Sequence, residues 1–296
     1  MPDIFAAGFF SSEPVHTALL VGAVIAITSA VVGVFTVTRG QSFAGHSLAD
    51  VATTGGSGAV LVGLNQFWGY LAFGAGVAAF MELIGIQRKR GRDVATGVVL
   101  GAALGLSALF LYLDTETSST TGATVTVMFG SIWEITSSTV PELIVSALLA
   151  LLTVLALARP LLLSSLSPDI AAARGVPVRL LGAAFLMALA ISVALSAVII
   201  GAVLSTALLI GPAAAALRIA KGPVKSMVTA AAIGTAATWL GIVLSYDSNN
   251  WPPSHGSWPV SFFVVALVVL AYLATYISGW RRPAAQEAEQ HTCSPA

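Results

Sequence analysis

The sequence predicts an all-α protein, a polytopic transmembrane bundle of about nine helices, with eight as the alternative count. Three observations lead to this fold class. Hydrophobic residues make up 57% of the 296 residues and charged residues only 9%, too few polar side chains to cover a water-soluble domain. Apolar runs recur at close to the length of about 20 residues that crosses a bilayer. All 13 lysines and arginines fall on one side of the resulting topology.

The predicted spans follow one another in order along the chain. They cover residues 15–38, 43–64, 67–86, 94–113, 143–158, 180–197, 199–217, 227–246 and 260–280. The sixth and seventh are the weakest, because no polar turn separates them and Gly201 is the only interruption. Either two helices with a tight connection or one broken helix is expected there, and protein rather than lipid must surround the break.

The basic residues set the predicted orientation. They are Arg39, Arg88, Lys89, Arg90, Arg92, Arg159, Arg174, Arg179, Arg218, Lys221, Lys225, Arg281 and Arg282. The positive-inside rule places this side in the cytoplasm, so a multi-pass protein of the plasma membrane is expected, with its N-terminus outside and its C-terminus inside. Residues 1–14 are then an extracytoplasmic segment, 15–280 the permease domain and 281–296 a disordered tail. The outer segment 114–142 favours an interfacial helix or a re-entrant hairpin.

Two ionisable residues stand together within the second span, where each costs at least about 2.5 kcal/mol at the centre of a helix. His46 and Asp50 are spaced i,i+4, and Thr53 and Ser57 continue the same helical face as a polar stripe. Imidazole nitrogen and carboxylate oxygen suit zinc or manganese. The stripe therefore predicts a path for a divalent metal, lined by His46 and Asp50 with Thr53 and Ser57 as further candidates. The alternative is that these polar groups only bond one another or a neighbouring helix.

A cytoplasmic loop carries the signals of a short capped helix. Ser167 is the predicted cap, Pro168 lies in the first turn, Asp169 complements the helix dipole, and Arg174-Gly175 ends the helix. A helix this short is not stable alone. It is either a docking element, with Ala171 and Ala172 small enough to enter a partner's groove, or an ordinary capped loop.

Several functions are excluded by what the sequence lacks. The formal net charge is zero, so no basic excess supports binding of nucleic acid. The single cysteine, Cys293, forms no Cys-based zinc site. The segment Gly222-Pro223-Val224-Lys225-Ser226 lacks the glycine spacing of a phosphate-binding loop. This chain is therefore not expected to hydrolyse ATP by that route, it is not predicted to be an enzyme, and no stably bound cofactor is expected.

Several segments together resemble the zinc and manganese branch of the permeases of ABC importers, over residues 17–280. They are Gly45-His46-Ser47-Leu48-Ala49-Asp50 with Gly55, Arg92-Asp93, Ala173-Arg174-Gly175-Val176-Pro177, and the stretches 198–204 and 208–216. In that family an acidic residue usually stands at the position of His46 and a histidine at that of Asp50, and both are thought to line the metal path. The pair is exchanged here, which bears on which metal is preferred.

The resemblance implies a type II ABC importer fold and a set of partners. These are a second permease copy, two cytoplasmic ATP-binding subunits that dock on the helix at 168–174, and an extracytoplasmic metal-binding protein. The transported ion would be zinc or manganese. Two alternatives stay open: an importer permease for a siderophore or a cobalamin-like ligand, and a membrane-embedded enzyme with His46 and Asp50 as acid and base.

Overall fold

The computed structural model describes residues 12–83, 92–118, 122–248 and 258–280. That part of the chain is all-helical, as predicted, with no strand in it. Its helices are α1 (Glu13–Thr38), α2 (Ser42–Leu61), α3 (Gln66–Leu83), α4 (Arg92–Ser118), α5 (Gly122–Phe129), α6 (Val140–Ala156), α7 (Ala158–Leu166), α8 (Pro168–Ala173), α9 (Val178–Ile200), α10 (Ser205–Ile219), α11 (Pro223–Ser248) and α12 (Val260–Trp280). Each of the nine predicted spans coincides with one of these helices.

Fewer of these helices meet the length and hydropathy expected of a membrane span. Within the described residues, α1, α9, α11 and α12 do so individually, and α6 with α7 makes a fifth candidate that bends by 57°. Helix α2 is less apolar because glycines, hydroxyl side chains and the His46 and Asp50 pair occupy much of it. A multi-pass membrane protein is therefore supported, while the count of nine spans stays a prediction.

Helices α1 and α9 form the centre of the bundle. In each of them, 72% of the most apolar stretch of 18 residues is buried. Helix α1 packs against α6, α9, α10 and α11. Its crossing with α9 carries a buried hydroxyl cluster: the Ser29 and Ser196 Oγ atoms are 2.7 Å apart, and Ser192 donates to Ser29 at 3.3 Å. Buried hydroxyls that bond one another let two apolar helices approach without leaving polar atoms unsatisfied.

Close packing of α2 on α3 explains the glycines that lie between Thr53 and Ser57 in α2. Gly55 and Gly69 face each other so closely that a Cβ atom on either would collide with the backbone oxygen of the other. Gly56 lies against the ring of Tyr70. Small residues at such crossings allow backbones to approach.

The connection between α9 and α10 is a buried break between two separate helices. Helix α9 ends at Ile200, and Gly201 adopts a positive φ of 81° with its backbone against that of Met128. The amide of Ala202 donates to the carbonyl of Val127 in α5 at 3.1 Å. Protein therefore surrounds the break, as expected, and two helices rather than one broken helix occupy this stretch.

The predicted loop 114–142 begins later than expected. Helix α4 continues through Ser118, so Asp114 is a helical residue and not a loop residue, and its side chain is buried. The segment then returns as α5, which packs on α2, α4 and α9. These contacts favour the re-entrant arrangement over a helix on the membrane surface.

One end of the bundle collects the basic residues of the described helices. Helices α1 and α11 run antiparallel, since Gly22 lies by Thr238 and Gly234 by Ala26, so the end of α1 and the start of α11 meet there. We call this the basic end. The predictions for residues 1–11, for Arg88, Lys89 and Arg90, and for the tail 281–296 lie outside the described residues.

Candidate metal path and coupling helix

The predicted metal pair lies in the second and third turns of α2, near the basic end. A turn at Gly40, with φ of 64°, joins α1 to α2. The Nε2 atom of His46 is 3.5 Å from Oδ2 of Asp50, which confirms that the two side chains share a face. The side chain of His46 is 50% exposed and that of Asp50 is 18% exposed. The pair is therefore accessible, in contrast to residues 51–54 that follow it in α2, which are buried.

Thr53 and Ser57 continue the stripe, but both are buried. The hydroxyl of Thr53 donates to the carbonyl of Ala49 at 3.0 Å. The hydroxyl of Ser57 lies 3.1 Å from the carbonyl of Thr54 and 3.2 Å from the hydroxyl of Ser107 in α4. Both hydroxyls are thus buried within the helix packing, and that of Ser57 contacts α4.

The surface between α2 and α4 was not predicted from the sequence. Thr54 donates to the carbonyl of Ala103 at 2.7 Å, and Ser57 meets Ser107 at 3.2 Å. Because both pairs advance in the same direction, α2 and α4 are parallel. We call this surface the α2–α4 seam. Isolated hydroxyls in apolar runs were the signal for it, and a single sequence does not reveal which helix they meet.

The donor set of the pair suits a transported ion. Among the described residues, no group of three or more His, Cys, Asp or Glu side chains comes together. One imidazole and one carboxylate hold a divalent ion weakly, and water or hydroxyls complete its shell. Weak binding suits a conduit, because an ion that binds too tightly does not leave.

The capped helix predicted in the loop is present as α8. Ser167 is its cap, with its Oγ accepting from the amide of Ile170 at 3.4 Å. At the other end, Gly175 has a φ of 78°. The amide of Val176 donates to Ala171 at 3.1 Å and that of Gly175 to Ala172 at 2.9 Å. This is a Schellman motif, which satisfies the last carbonyls and requires glycine at the positive φ.

Helix α8 presents an exposed face. Asp169, Ala172 and Arg174 are exposed, whereas Ala171 is fully buried against the chain. Two large apolar side chains not predicted as docking residues add to this face: Leu166 is 86% exposed and Ile170 is 53% exposed. The side chain of Pro168 lies outside the described residues.

Helix α8 is joined to the bundle mainly through α7. Arg39, at the end of α1, donates from Nη1 to the hydroxyl of Ser164 at 2.8 Å and to the carbonyl of Leu161 at 3.3 Å. Its guanidinium also lies 5.2 Å from the ring centroid of Phe185 in α9. Gly40 and Gln41 are the only residues between Arg39 and the start of α2. The arginine therefore connects the α8 region to the helix that carries the metal pair.

Comparison with known proteins identifies the family. The profile of the ABC 3 transport family matches residues 11–276. The chain belongs to the ABC 3 transport family. The family resemblance inferred from the sequence is thereby confirmed.

Curated relatives of this ABC 3 chain carry names of metal transport systems. The manganese transport system membrane protein MntC of Listeria monocytogenes is 27% identical over 83% of this chain and 86% of its own length. The manganese import system permease protein ScaB of Streptococcus pneumoniae is 28% identical over 79% and 82%. The high-affinity zinc uptake system membrane protein ZnuB of Haemophilus influenzae is 26% identical over 81% and 92%.

A solved structure resembles the ABC 3 chain throughout. PsaBC from Streptococcus pneumoniae in complex with Fab matches with a TM-score of 0.78 at 22% sequence identity, over 91% of this chain and 93% of that chain. At this identity the match establishes the fold.

Proposed function

We propose that this chain is the membrane permease of an ATP-driven importer that moves a divalent metal ion, manganese or zinc, into the cytoplasm. The observation that carries the proposal is the accessible pair of His46 and Asp50 on a largely buried helix of an ABC 3 family member. Relatives named for manganese and zinc transport support this cargo. A siderophore or cobalamin-like ligand has no such support.

The two side chains have distinct roles in this proposal. The carboxylate of Asp50 offsets the charge of the ion, and the neutral imidazole of His46 supplies a nitrogen ligand nearer the cytoplasm. Both are the ligand types that zinc and manganese accept. The pair is exchanged relative to the order usual in the family, so the nitrogen ligand meets the ion last as it leaves.

Partner proteins supply the energy and the cargo. A second permease copy, two cytoplasmic ATP-binding subunits and an extracytoplasmic metal-binding protein complete the proposed importer, in the architecture of a type II ABC permease. The exposed face of α8, with Leu166, Ile170 and Ala172, is the proposed docking surface for the ATP-binding subunit. Apolar side chains exposed on a cytoplasmic loop are the kind of surface that a partner buries.

The basic end is cytoplasmic in this proposal, and all nine predicted helices cross the membrane. A cysteine at Leu64, between α2 and α3, should react with an impermeant thiol reagent in intact cells, whereas one at Lys221, between α10 and α11, should react only after the cells are opened. Both positions are exposed, and Cys293 is first replaced by serine. The opposite labelling pattern would overturn the orientation.

The uptake experiment tests the proposal directly. Manganese and zinc uptake are measured in cells that lack this protein and are then supplied with the unmodified chain, His46→Ala or Asp50→Asn. Both substitutions should abolish uptake while the protein remains in the membrane at normal amounts. His16→Ala and Glu116→Gln are matched controls, because both residues are exposed and lie outside α2. Normal uptake by both α2 variants would refute the site.

A further inference from the structure

Helix α4 buries a single stripe of side chains, and that stripe ends in a carboxylate. Among residues 100–117, the buried positions are Ala103, Ser107, Leu111 and Asp114. Their spacing of four, four and three residues places them on one helical face. Asp114 is only 6% exposed, although the other acid of this region, Glu116, is exposed. Ionisable side chains buried in membrane proteins are rare, and they are read by default as candidates for a functional site.

The buried stripe of α4 is the face that forms the α2–α4 seam. Ala103 accepts from Thr54, and Ser107 meets Ser57. Asp114 follows Ser107 by seven residues, which is about two turns and about 10 Å along the same face. Helix α2 ends at Leu61, one turn beyond Ser57. Asp114 therefore lies at the end of the seam that is remote from the basic end.

The two carboxylates of the seam are placed symmetrically about its hydroxyl contact. Asp50 precedes Ser57 by seven residues on α2, and Asp114 follows Ser107 by seven residues on α4. Each carboxylate is thus about 10 Å from the contact, on opposite sides of it. Two weak oxygen sites along one surface suit conduction, because an ion that binds weakly at each site can also leave it.

We infer that Asp114 is a second cation ligand, at the outer end of the α2–α4 seam, from which a divalent ion passes the Ser57 and Ser107 contact to reach Asp50 and His46. This inference rests on the proposed function. Ser57 is fully buried and Ser107 is 3% exposed, so the contact closes the seam in this structure. The inner pair, by contrast, is accessible. The structure therefore has the arrangement of a path that is shut on the side of Asp114.

The first test compares two carboxylates of the same helix. Asp114→Asn should raise the metal concentration that gives half-maximal uptake by about tenfold, while the maximal rate changes less. Glu116→Gln, which removes the exposed carboxylate, should leave both values unchanged. Uptake is measured with manganese in membranes that contain the assembled importer. An Asp114→Asn variant with unchanged half-saturation would overturn the inference.

A second pair of variants tests whether Asp114 is a cation ligand if Asp114→Asn fails to reach the membrane. With Cys293 replaced by serine, Asp114→Cys and Glu116→Cys each carry one thiol. A thiolate prefers soft cations, so cadmium added outside should inhibit manganese uptake by Asp114→Cys at concentrations that leave Glu116→Cys unaffected. A purely structural aspartate predicts equal sensitivity, and equal sensitivity would overturn the inference.

Failure of this inference is distinguishable from failure of the proposed function. An unmodified chain that supports neither manganese nor zinc uptake would overturn both. An unmodified chain that supports uptake, with Asp114 variants that behave like their Glu116 controls, would overturn the role of Asp114 alone and leave His46 and Asp50 in place.

Discussion

The α2–α4 seam and the α8 loop are both candidate functional regions, but they are held in different ways. Most of α2 is buried, and its hydroxyls bond to groups about 50 residues away in α4. Helix α8 is ordered by its own cap and Schellman turn, and it packs mainly on α7, which Arg39 bonds to α1. The α2–α4 seam therefore depends on tertiary packing, whereas α8 depends on local geometry and on its proposed partner.

The largest expected effect comes from locking the seam. The Oγ atoms of Ser57 and Ser107 are 3.2 Å apart, so cysteines at both positions should form a disulfide under oxidation. In a chain with Cys293 replaced by serine, oxidant should reduce uptake to background, and reductant should restore it. Either single cysteine variant is the control. Full uptake by the cross-linked protein would show that the seam does not open during transport.

The second-largest expected effect tests whether α8 docks on the ATP-binding subunit. Ala172→Trp enlarges an exposed residue of α8 and should weaken co-purification with the ATP-binding subunit by at least about tenfold, which corresponds to about 1.4 kcal/mol. Ala102→Trp makes the same change at an exposed alanine of α4. The membrane content of both variants is measured alongside. Normal assembly and transport by Ala172→Trp would make α8 an ordinary capped loop.

Arg39 lies between α2 and the α8 loop. Its replacement should therefore uncouple ATP hydrolysis, which acts at α8, from transport along the α2–α4 seam. Hydrogen bonds from charged groups contribute about 1.5–3 kcal/mol, so Arg39→Ala should loosen α7 from α1 and lower the ions moved per ATP hydrolysed by about tenfold. Assembly and hydrolysis should persist. Arg159→Ala, an exposed arginine of α7, is the control. Equal coupling ratios in both variants would rule out a special role for Arg39.

The smallest effects are local and should differ between the regions. Ser167→Ala removes a cap worth about 1 kcal/mol and should accelerate hydrogen exchange at the amide of Ile170. Thr54→Val removes one interhelical bond, worth about 0.6 kcal/mol in membrane proteins, and should lower the thermal midpoint slightly without changing that exchange. Exchange at Ile170 that responds to Thr54→Val would mean that the two regions share one cooperative unit.

Local signals in the sequence predicted α8 and the helices that overlap the nine expected spans, but they did not predict α7. Hydropathy located all nine predicted helices, and the order Ser167, Pro168 and Gly175 predicted the bounds of α8, because caps act through neighbours in the chain. The i,i+4 spacing also predicted the contact of His46 with Asp50.

Contacts between helices that lie far apart in the chain could not be predicted from the sequence. Ser107 is one of many hydroxyls in apolar runs, and nothing local indicates that it meets Ser57. Asp114 was assigned to a loop, because its charge ended the apolar run at Leu113, although α4 continues for another turn. The bond from Arg39 to Ser164 spans 125 residues, and a basic residue near a membrane surface needs no specific partner to be explained.

The carbonyl of Val127 gives the fold a joint whose acceptor belongs to the backbone. It accepts from the hydroxyl of Tyr70 at 3.2 Å and from the amide of Ala202 at 3.1 Å, so one backbone oxygen unites α3, α5 and the break after α9. Substitution at position 127 leaves that oxygen in place, and loss of the Tyr70 hydroxyl leaves the second bond. The bond between α5 and the break after α9 therefore persists when the side chain at position 127 or 70 is replaced.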